Sequence, residues 1–313
     1  MLEVRDDGVL LLDKPAGMSS NAALQGVRRL MGRIKAGHTG TLDPMATGLL
    51  PVCLGEATKF ASGLLDADKV YEAVVRLGVA TDTGDAEGEV IFRGEWTAAA
   101  AQIDEVLREF RGEIEQMPPM FSAIKHRGRP LYEYARKGQE IERSHRSVRV
   151  YEIAILSKSP PDFRLLIRCS KGTYVRTLAH DIGSRLGCGA HLAALRRTMI
   201  GALRIEDAVS LPALERSDQA TRRSFVRSVD LLVLHLPAAY LTAVEAKSIL
   251  QGKVVEPKEL HSASGNLRLY DQSGSFLGVG LVAEGKIVPR RMCSIPLPHR
   301  NDGMRLEELS ASG

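Results

Sequence analysis

The 313-residue sequence contains no C-x-x-C pair, no long uninterrupted apolar run and little net charge. Its four cysteines, Cys53, Cys169, Cys188 and Cys293, are scattered, which argues against a disulfide framework and against a zinc ribbon. Cys188 and His191 have ligand-like spacing, but no second pair lies near them in sequence, so no metal site is expected and buried free thiols are. The longest later apolar stretch, LLVLHLPAAYLTAV, is broken by His235 and Pro237 and is too short to span a bilayer. At the amino terminus, MLEVRDDGVLLLDKP carries acids where a signal peptide needs a basic region, and Asp13 and Lys14 interrupt its apolar run. These absences point to a cytosolic protein without a membrane span, and no internal repeat is present.

What is there is ordinary in bulk: 44% hydrophobic and 26% charged residues exclude collagen, disorder and coiled coil, and the length favours two domains. A net charge of +4 does not by itself suggest nucleic acid, but its distribution does. Between Lys125 and Arg149, KHRGRPLYEYARKGQEIERSHRSVR holds eight Lys or Arg against three Glu. The positive charge is concentrated in one segment, interleaved with His126, Tyr132 and Tyr134. Such a segment suits phosphates and unstacked bases; a solvated basic loop is the alternative.

Period and punctuation predict the elements. GVLLLDKP reads as a buried strand, SSNAALQGVRRLM as a Ser-capped helix, LLPVCLG as a strand and EATKFASGLL as a helix. DKVYEAVVRLG alternates as a half-buried strand, with Tyr71, Ala73, Val75 and Leu77 on one face. TDTGDAEGEV is an acidic turn-rich loop, and TAAAAQIDEVLREFRG is a helix capped by Thr97 and stopped by Gly112. The basic segment carries two short strands and a helix from Pro130 to Lys137, an excursion between sheet strands. VRVYEIAIL, FRLLIRCS and LAALRRTMIGALRI are strands, and TYVRTLAHDIGSRLG is a helix. Residues 211–235 read as a helical, charged connecting segment, and LRLYDQSGSFLGVGLVAEGKIVPRRM as a small β-rich domain, with a frayed tail after Pro298. Strands and helices without a strict βαβ rhythm predict an α+β fold with a mixed sheet.

One carboxylate stands out. In the Gly-rich GHTGTLDPMATGLLP, Asp43 is the only acid, and directly before Pro44 it reads as a helix N-cap with Gly48 ending a short turn.

Taken together, LLLDKPAGMSS, GHTGTLDPMATGLLPVCLGEATKF, DKVYEAVVRLG, CSKGTYVRTLAHDIG and GCGAHLAALRR resemble the TruB family of bacterial tRNA pseudouridine-55 synthases, in family order from about Val9 to Arg197. A weaker likeness links the carboxy-terminal region to the small RNA-binding domain called PUA. The resemblance implies a mainly antiparallel catalytic domain over residues 1–235 with the basic insertion, a PUA-like domain over 236–298, and a tail over 299–313. It implies isomerisation of a flipped-out uridine at position 55 in the T loop of tRNA to pseudouridine, with no cofactor.

By the same resemblance Asp43 is the nucleophile or base, Arg176 its ion-pair partner, and Tyr71 the aromatic that replaces the stacking a flipped base loses. An ionised carboxylate in a dry pocket needs a cationic partner, which Arg176 would supply. His38, Tyr174 and Leu195 match pocket-lining positions, and Lys14 and Lys59 match basic positions that contact phosphate or support the site. Lys125, Arg127, Arg129, Arg136 and Lys137 belong to an insertion that grips the RNA. Residue by residue, plainer roles exist: Tyr71 as a strand aromatic, Tyr174 and Leu195 as core, His38 as a loop histidine. A non-catalytic tRNA-binding or tRNA-folding protein is the competing reading. A glycoside hydrolase lacks an evident second carboxylate. Nothing in the sequence points to an obligate protein partner, so a monomer is expected.

Overall fold

The computed structural model describes residues 6–96, 100–257 and 264–297. Its centre is a mixed sheet in the spatial order Val209–Ser210, Gly8–Lys14, Thr47–Leu54, Ala190–Ile200, Lys69–Leu77, Asp162–Cys169, Arg146–Ser159, Gly112–Gln116. Neighbours along that order run antiparallel except at two places. Val209–Ser210 lies parallel to Gly8–Lys14, and Thr47 and Gly48 lie parallel to Arg196 and Arg197. The expected α+β class with a mainly antiparallel sheet is therefore observed. The second exception is a seam: two residue pairs join one half of the sheet to the other.

The apolar run of the first strand is explained by burial on both faces. Leu10 and Leu12 join Leu50, Val52 and the helices Ser20–Leu30 and Val175–Arg185 in one core. Val9 and Leu11 point the other way, to Leu49, Cys53, Phe60 and Leu64, and to Tyr270 and Phe276 of the carboxy-terminal sheet. Each fully buried Leu or Phe contributes about 1.5–3 kcal/mol, so both faces stabilise the fold. The Ser19 hydroxyl accepts from the Ala22 N–H at 3.1 Å and starts the first helix as expected.

The carboxy-terminal sheet orders Ala238–Leu241, Gly265–Asp271, Phe276–Ala283 and Lys286–Leu297, the first pair parallel and the rest antiparallel. Helix Ala243–Leu250 starts with a reciprocal Thr242–Glu245 capping box and covers its own core of Leu241, Ile249, Leu267 and Ile287. The Phe60 and Phe276 rings meet edge to face at 5.2 Å and tie this sheet to the larger one.

Several sequence expectations are corrected. Asp43 caps no helix: its carbonyl accepts from the Ala46 N–H at 3.1 Å, closing a turn, because the chain enters the strand Thr47–Leu54 immediately afterwards. Gly48 ends no turn either. It lies in that strand at φ +103°, where an added Cβ would sit 2.3 Å from the Arg197 carbonyl oxygen. EATKFASGLL forms two short 3-10 turns, Gly55–Lys59 and Ala61–Leu64, that bring Ala57, Phe60 and Leu64 onto the sheet. Residues 211–235 begin helical, as expected, over Leu211–Arg216 and Gln219–Ser224, but they do more than connect. Val226–Arg227 pairs with the first strand, and Val229–Val233 is buried in the second core beneath a charged outer pattern. The helix Ala100–Glu109 is present, whereas its expected cap Thr97 and the tail after Pro298 lie outside the described residues. All four cysteines are free and buried, and the His191 ring bonds the Val79 carbonyl rather than pairing with Cys188. No helix among the described residues is long and apolar enough to cross a membrane.

Candidate active site

The loop that carries Asp43 is pinned on both sides. Ser20 Oγ accepts from the Leu42 N–H at 2.8 Å and donates to the Leu42 carbonyl at 2.9 Å. On the other side the Pro44 carbonyl accepts from the Gly17 N–H at 2.9 Å and from Lys14 Nζ at 3.3 Å. Lys14 is fully buried and also donates to the carbonyls of Pro15 and Met18, both at 2.8 Å. Burial pulls its pKa down to about 8, against the opposing pull of Asp43 and Glu87. Its ammonium is thus spent on three carbonyls of the loop and its flanks.

With its backbone held, Asp43 aims its carboxylate at Arg176, the second residue of the helix Val175–Arg185. Arg176 Nε stands 2.9 Å from Asp43 Oδ2, with the Arg176 side chain 5% and the Asp43 side chain 37% exposed. The rest of the guanidinium is also occupied. Nη1 donates to the Thr83 carbonyl at 3.1 Å and lies 3.5 Å from Asp85 Oδ2, and Nη2 donates to the Phe121 carbonyl at 2.6 Å. Asp85 is itself buried and held by Thr83 Oγ1 at 2.7 Å and the Glu87 N–H at 3.1 Å. A cation so fully bonded is fixed in direction, and it fixes the carboxylate in turn. Burial raises the Asp43 pKa above the ordinary carboxylate range; Arg176 pulls it down and Asp85 pushes it up, and the balance stays raised. Arg176 offsets the desolvation of Asp43 without cancelling it.

Asp43 and Arg176 open onto a cavity of about 270 Å³ that is also lined by Tyr71, Tyr174, Leu195, Lys69 and Arg197. That is room for one nucleoside, not for a helix. Tyr71 sits opposite Arg197 across the strand pairing and packs on the core. Tyr174 precedes the Arg176 helix, and the Gln116 side chain bonds both its backbone groups, at 3.0 and 3.3 Å. Leu195 is buried in the pocket wall. Five predicted residues thus converge: Asp43, Tyr71, Tyr174, Arg176 and Leu195.

Others do not. His38 ends the strand Ala36–His38, short of Gly40 where the pocket lining begins, and its ring is held below its ordinary pKa by burial and by Arg197. Lys59 lies on the far side of the molecule's sheet junction. Its ammonium pairs with Glu56 at 2.8 Å and donates to Met292 O and Ser294 Oγ, clamping the carboxy-terminal sheet. Lys125, Arg127, Arg129, Arg136 and Lys137 are carried on the excursion, away from the cavity lining. There Arg127 and Gly128, at φ 48° and 82°, turn a two-residue hairpin between Lys125–His126 and Arg129–Pro130. Arg136 lies over the Tyr132 ring at 5.3 Å. Ser122 and Ala123, at the base of this excursion, form part of the pocket wall.

Three consecutive segments match known families: residues 28–175 the TruB family pseudouridylate synthase (N terminal domain), residues 176–235 the tRNA pseudouridylate synthase B C-terminal domain, and residues 237–293 the pseudouridine synthase II TruB C-terminal domain. The tRNA pseudouridine synthase B of Azoarcus sp. (strain BH72) is 54% identical over 286 residues, which cover 91% of this chain and 94% of that protein. The chain belongs to the TruB family. Another TruB relative, the tRNA pseudouridine synthase B of Aromatoleum aromaticum (strain DSM 19018 / LMG 30748 / EbN1), is 53% identical over 289 residues, 92% of this chain and 93% of that one. In the crystal structure of a Cbf5-Nop10-Gar1 complex, one chain is similar with a TM-score of 0.73 at 26% identity, over 93% of this chain and 86% of that chain. The TruB segments meet between residues 175 and 176, so the Asp43–Arg176 pair joins the first segment to the second.

Sequence reasoning missed Asp85, Lys69 and Arg197. Asp85 was hidden among the acids of TDTGDAEGEV. Lys69 had a signal, since it shares the period-two face of Tyr71 and Ala73 and must turn inward with them. Arg197 had a weaker one: of two successive arginines in a strand buried on both faces, one has to point into the interior.

Proposed function

We propose that this protein isomerises uridine to pseudouridine at position 55 in the T loop of transfer RNA, with Asp43 as the nucleophile or base. The observation that carries this reading is the 2.9 Å Arg176–Asp43 pair, half open to a nucleoside-sized cavity on whose wall Tyr71 lies. The reaction breaks the N1–C1′ bond, turns the uracil and rejoins it through C5; the C5 proton is lost, N1 takes one up, and no oxidation state changes.

Each demand of that reaction has a residue. A flipped base costs a few kcal/mol of unstacking, and Tyr71 returns part of it by stacking. Leu195 and Tyr174 exclude water from the other sides. Asp43, ionised and aimed by Arg176, acts at the sugar. The excursion carrying Arg127, Arg129, Arg136 and Lys137 grips the T arm through its phosphates. Residues 1–235 serve as the catalytic part, and 236–298 as an RNA-binding part docked on its back. The reaction takes place in the cytoplasm, where tRNA is matured.

A non-catalytic tRNA-binding or tRNA-folding role is the second reading. The geometry favours the enzyme, because a carboxylate half buried in an RNA-binding surface repels phosphate and serves a pure binder in no way. Incubation with unmodified tRNA carrying tritium at uridine C5 separates the two. The enzyme releases the label from a T-arm substrate in proportion to pseudouridine formed. Folded protein that binds the RNA and releases none is a binder.

A further inference from the structure

Two cations in the pocket wall have no use in the steps above. Lys69 is 8% exposed and Arg197 1% exposed. Among the described residues no carboxylate lies within ion-pair distance of either, in contrast to Arg176 with its two. Their charges are solvated chiefly by backbone dipoles. Lys69 Nζ donates to the carbonyls of Leu65 at 2.9 Å and Ala67 at 2.5 Å. Arg197 donates from Nε to Leu49 O and from Nη2 to Gly40 O, both at 2.9 Å. Carbonyl oxygens satisfy donors without neutralising them, and Asp66 and Asp68 act on Lys69 only from beyond ion-pair distance, so both side chains lack a directly paired carboxylate in this buried wall. Burying an unpaired ion is costly, and a structural role alone is met by neutral donors at no such cost.

Their placement is also specific. Arg197 is the cross-strand partner of Tyr71, its charge acts on the Tyr71 phenol, and Lys69 lies two residues before Tyr71 on the same face of the same strand. Both line the cavity that Asp43 and Arg176 close from the other side. The pocket is therefore polarised, with a carboxylate on one wall and unneutralised cations beside the aromatic on the other.

We propose that Lys69 and Arg197 form a cationic wall that stabilises the uracil anion released when the N1–C1′ bond breaks. This rests on the function proposed above. The bonding pair of N1–C1′ leaves with the base, so negative charge spreads over N1, O2 and O4 of a uracil lying on Tyr71. The sugar carbon left short of electrons is the concern of Asp43 on the opposite wall. The charge on the base disappears when C5 bonds the electron-poor C1′; the C5 proton then leaves to a base and N1 takes one up, so the product is neutral. Fixed cations that meet a charge present only between those two events lower the barrier without tightening substrate binding.

The test measures single-turnover tritium release and tRNA affinity separately, with thermal unfolding as a check on the fold. Lys69→Gln keeps an amide donor for the Leu65 and Ala67 carbonyls and removes the charge. It is expected to slow release roughly a hundredfold with tRNA affinity held within about threefold. Lys69→Arg restores the charge and recovers most of the rate. If Lys69→Gln does not fold, Arg197→Lys against Arg197→Gln asks the same question, and the charged variant is expected to be the faster. A folded Lys69→Gln with the wild-type rate overturns the inference, as does a Lys69→Arg variant equally slow, or Arg197→Gln matching Arg197→Lys. Failure of the wild-type protein to release tritium overturns instead the function on which it rests.

Discussion

At the scale of single residues the site turns on one carboxylate whose two tasks conflict. Asp43 must be charged to act and half buried to be aimed, and burial raises its pKa. Activity is present when Asp43 is ionised and is lost as pH falls through a value above the ordinary ~3.9 of an aspartate. Other carboxylates are shifted the opposite way: the Arg76 fork holds Asp162 below its usual range, so the stability that pair contributes is present above the unfolded pKa and lost only at lower pH. Acidification should therefore remove tritium release before it removes the fold, seen as a pH–rate profile that falls while circular dichroism is unchanged. Coincident losses would contradict this. Asp43→Asn should abolish release and leave tRNA affinity within about tenfold, or about 1.4 kcal/mol; substantial residual activity would remove Asp43 from its role.

Asp43, Arg176 and Tyr71 were legible because a family pattern points at them, and their convergence on one cavity came from the fold. The local reading of Asp43 as a helix cap failed because an Asp-Pro step looks the same before a helix and before a strand. Only the distant Ser20 and Lys14 decide which follows.

At the scale of elements the basic excursion was legible from charge alone, and its short hairpin follows from the Arg127-Gly128 turn. Its link to the pocket was not, since Phe121 contributes a backbone carbonyl that no side-chain pattern encodes. Replacing Arg127, Arg129, Arg136 and Lys137 together by Ala should weaken tRNA binding and flatten its dependence on salt by roughly 0.7 to 0.9 in log–log slope for each phosphate no longer neutralised. An unchanged slope would return the segment to a solvated loop. The strand Lys69–Leu77 teaches the complement: its period was read correctly, yet extending the same period two residues back would have placed Lys69 inward as well.

At the scale of the whole molecule the least expected feature is how the carboxy-terminal sheet docks. Its strands were legible from their Gly turns. Its burial of Tyr270 and Phe276 against Phe60 and Val229–Val233 was not, because a run of apolar residues does not name its partner. Phe276→Ala should cost about 3–5 kcal/mol of unfolding free energy by urea titration, a loss that belongs to both sheets at once. A chain ended at residue 235 leaves Val9, Leu11 and Phe60 uncovered and should aggregate or lose its cooperative transition; a soluble, cooperatively folding fragment would show that the two parts are independent.

The seam between the two halves of the main sheet has a consequence for endurance. Among the described residues only two pairs join the halves there, and the Arg197 side chain also crosses the seam, reaching back to Leu49 and Gly40. Asp43 stands on one half, Tyr71 and Arg197 on the other. Warming that loosens the seam by a fraction of an ångström leaves every core residue covered while the two halves of the catalyst drift out of aim.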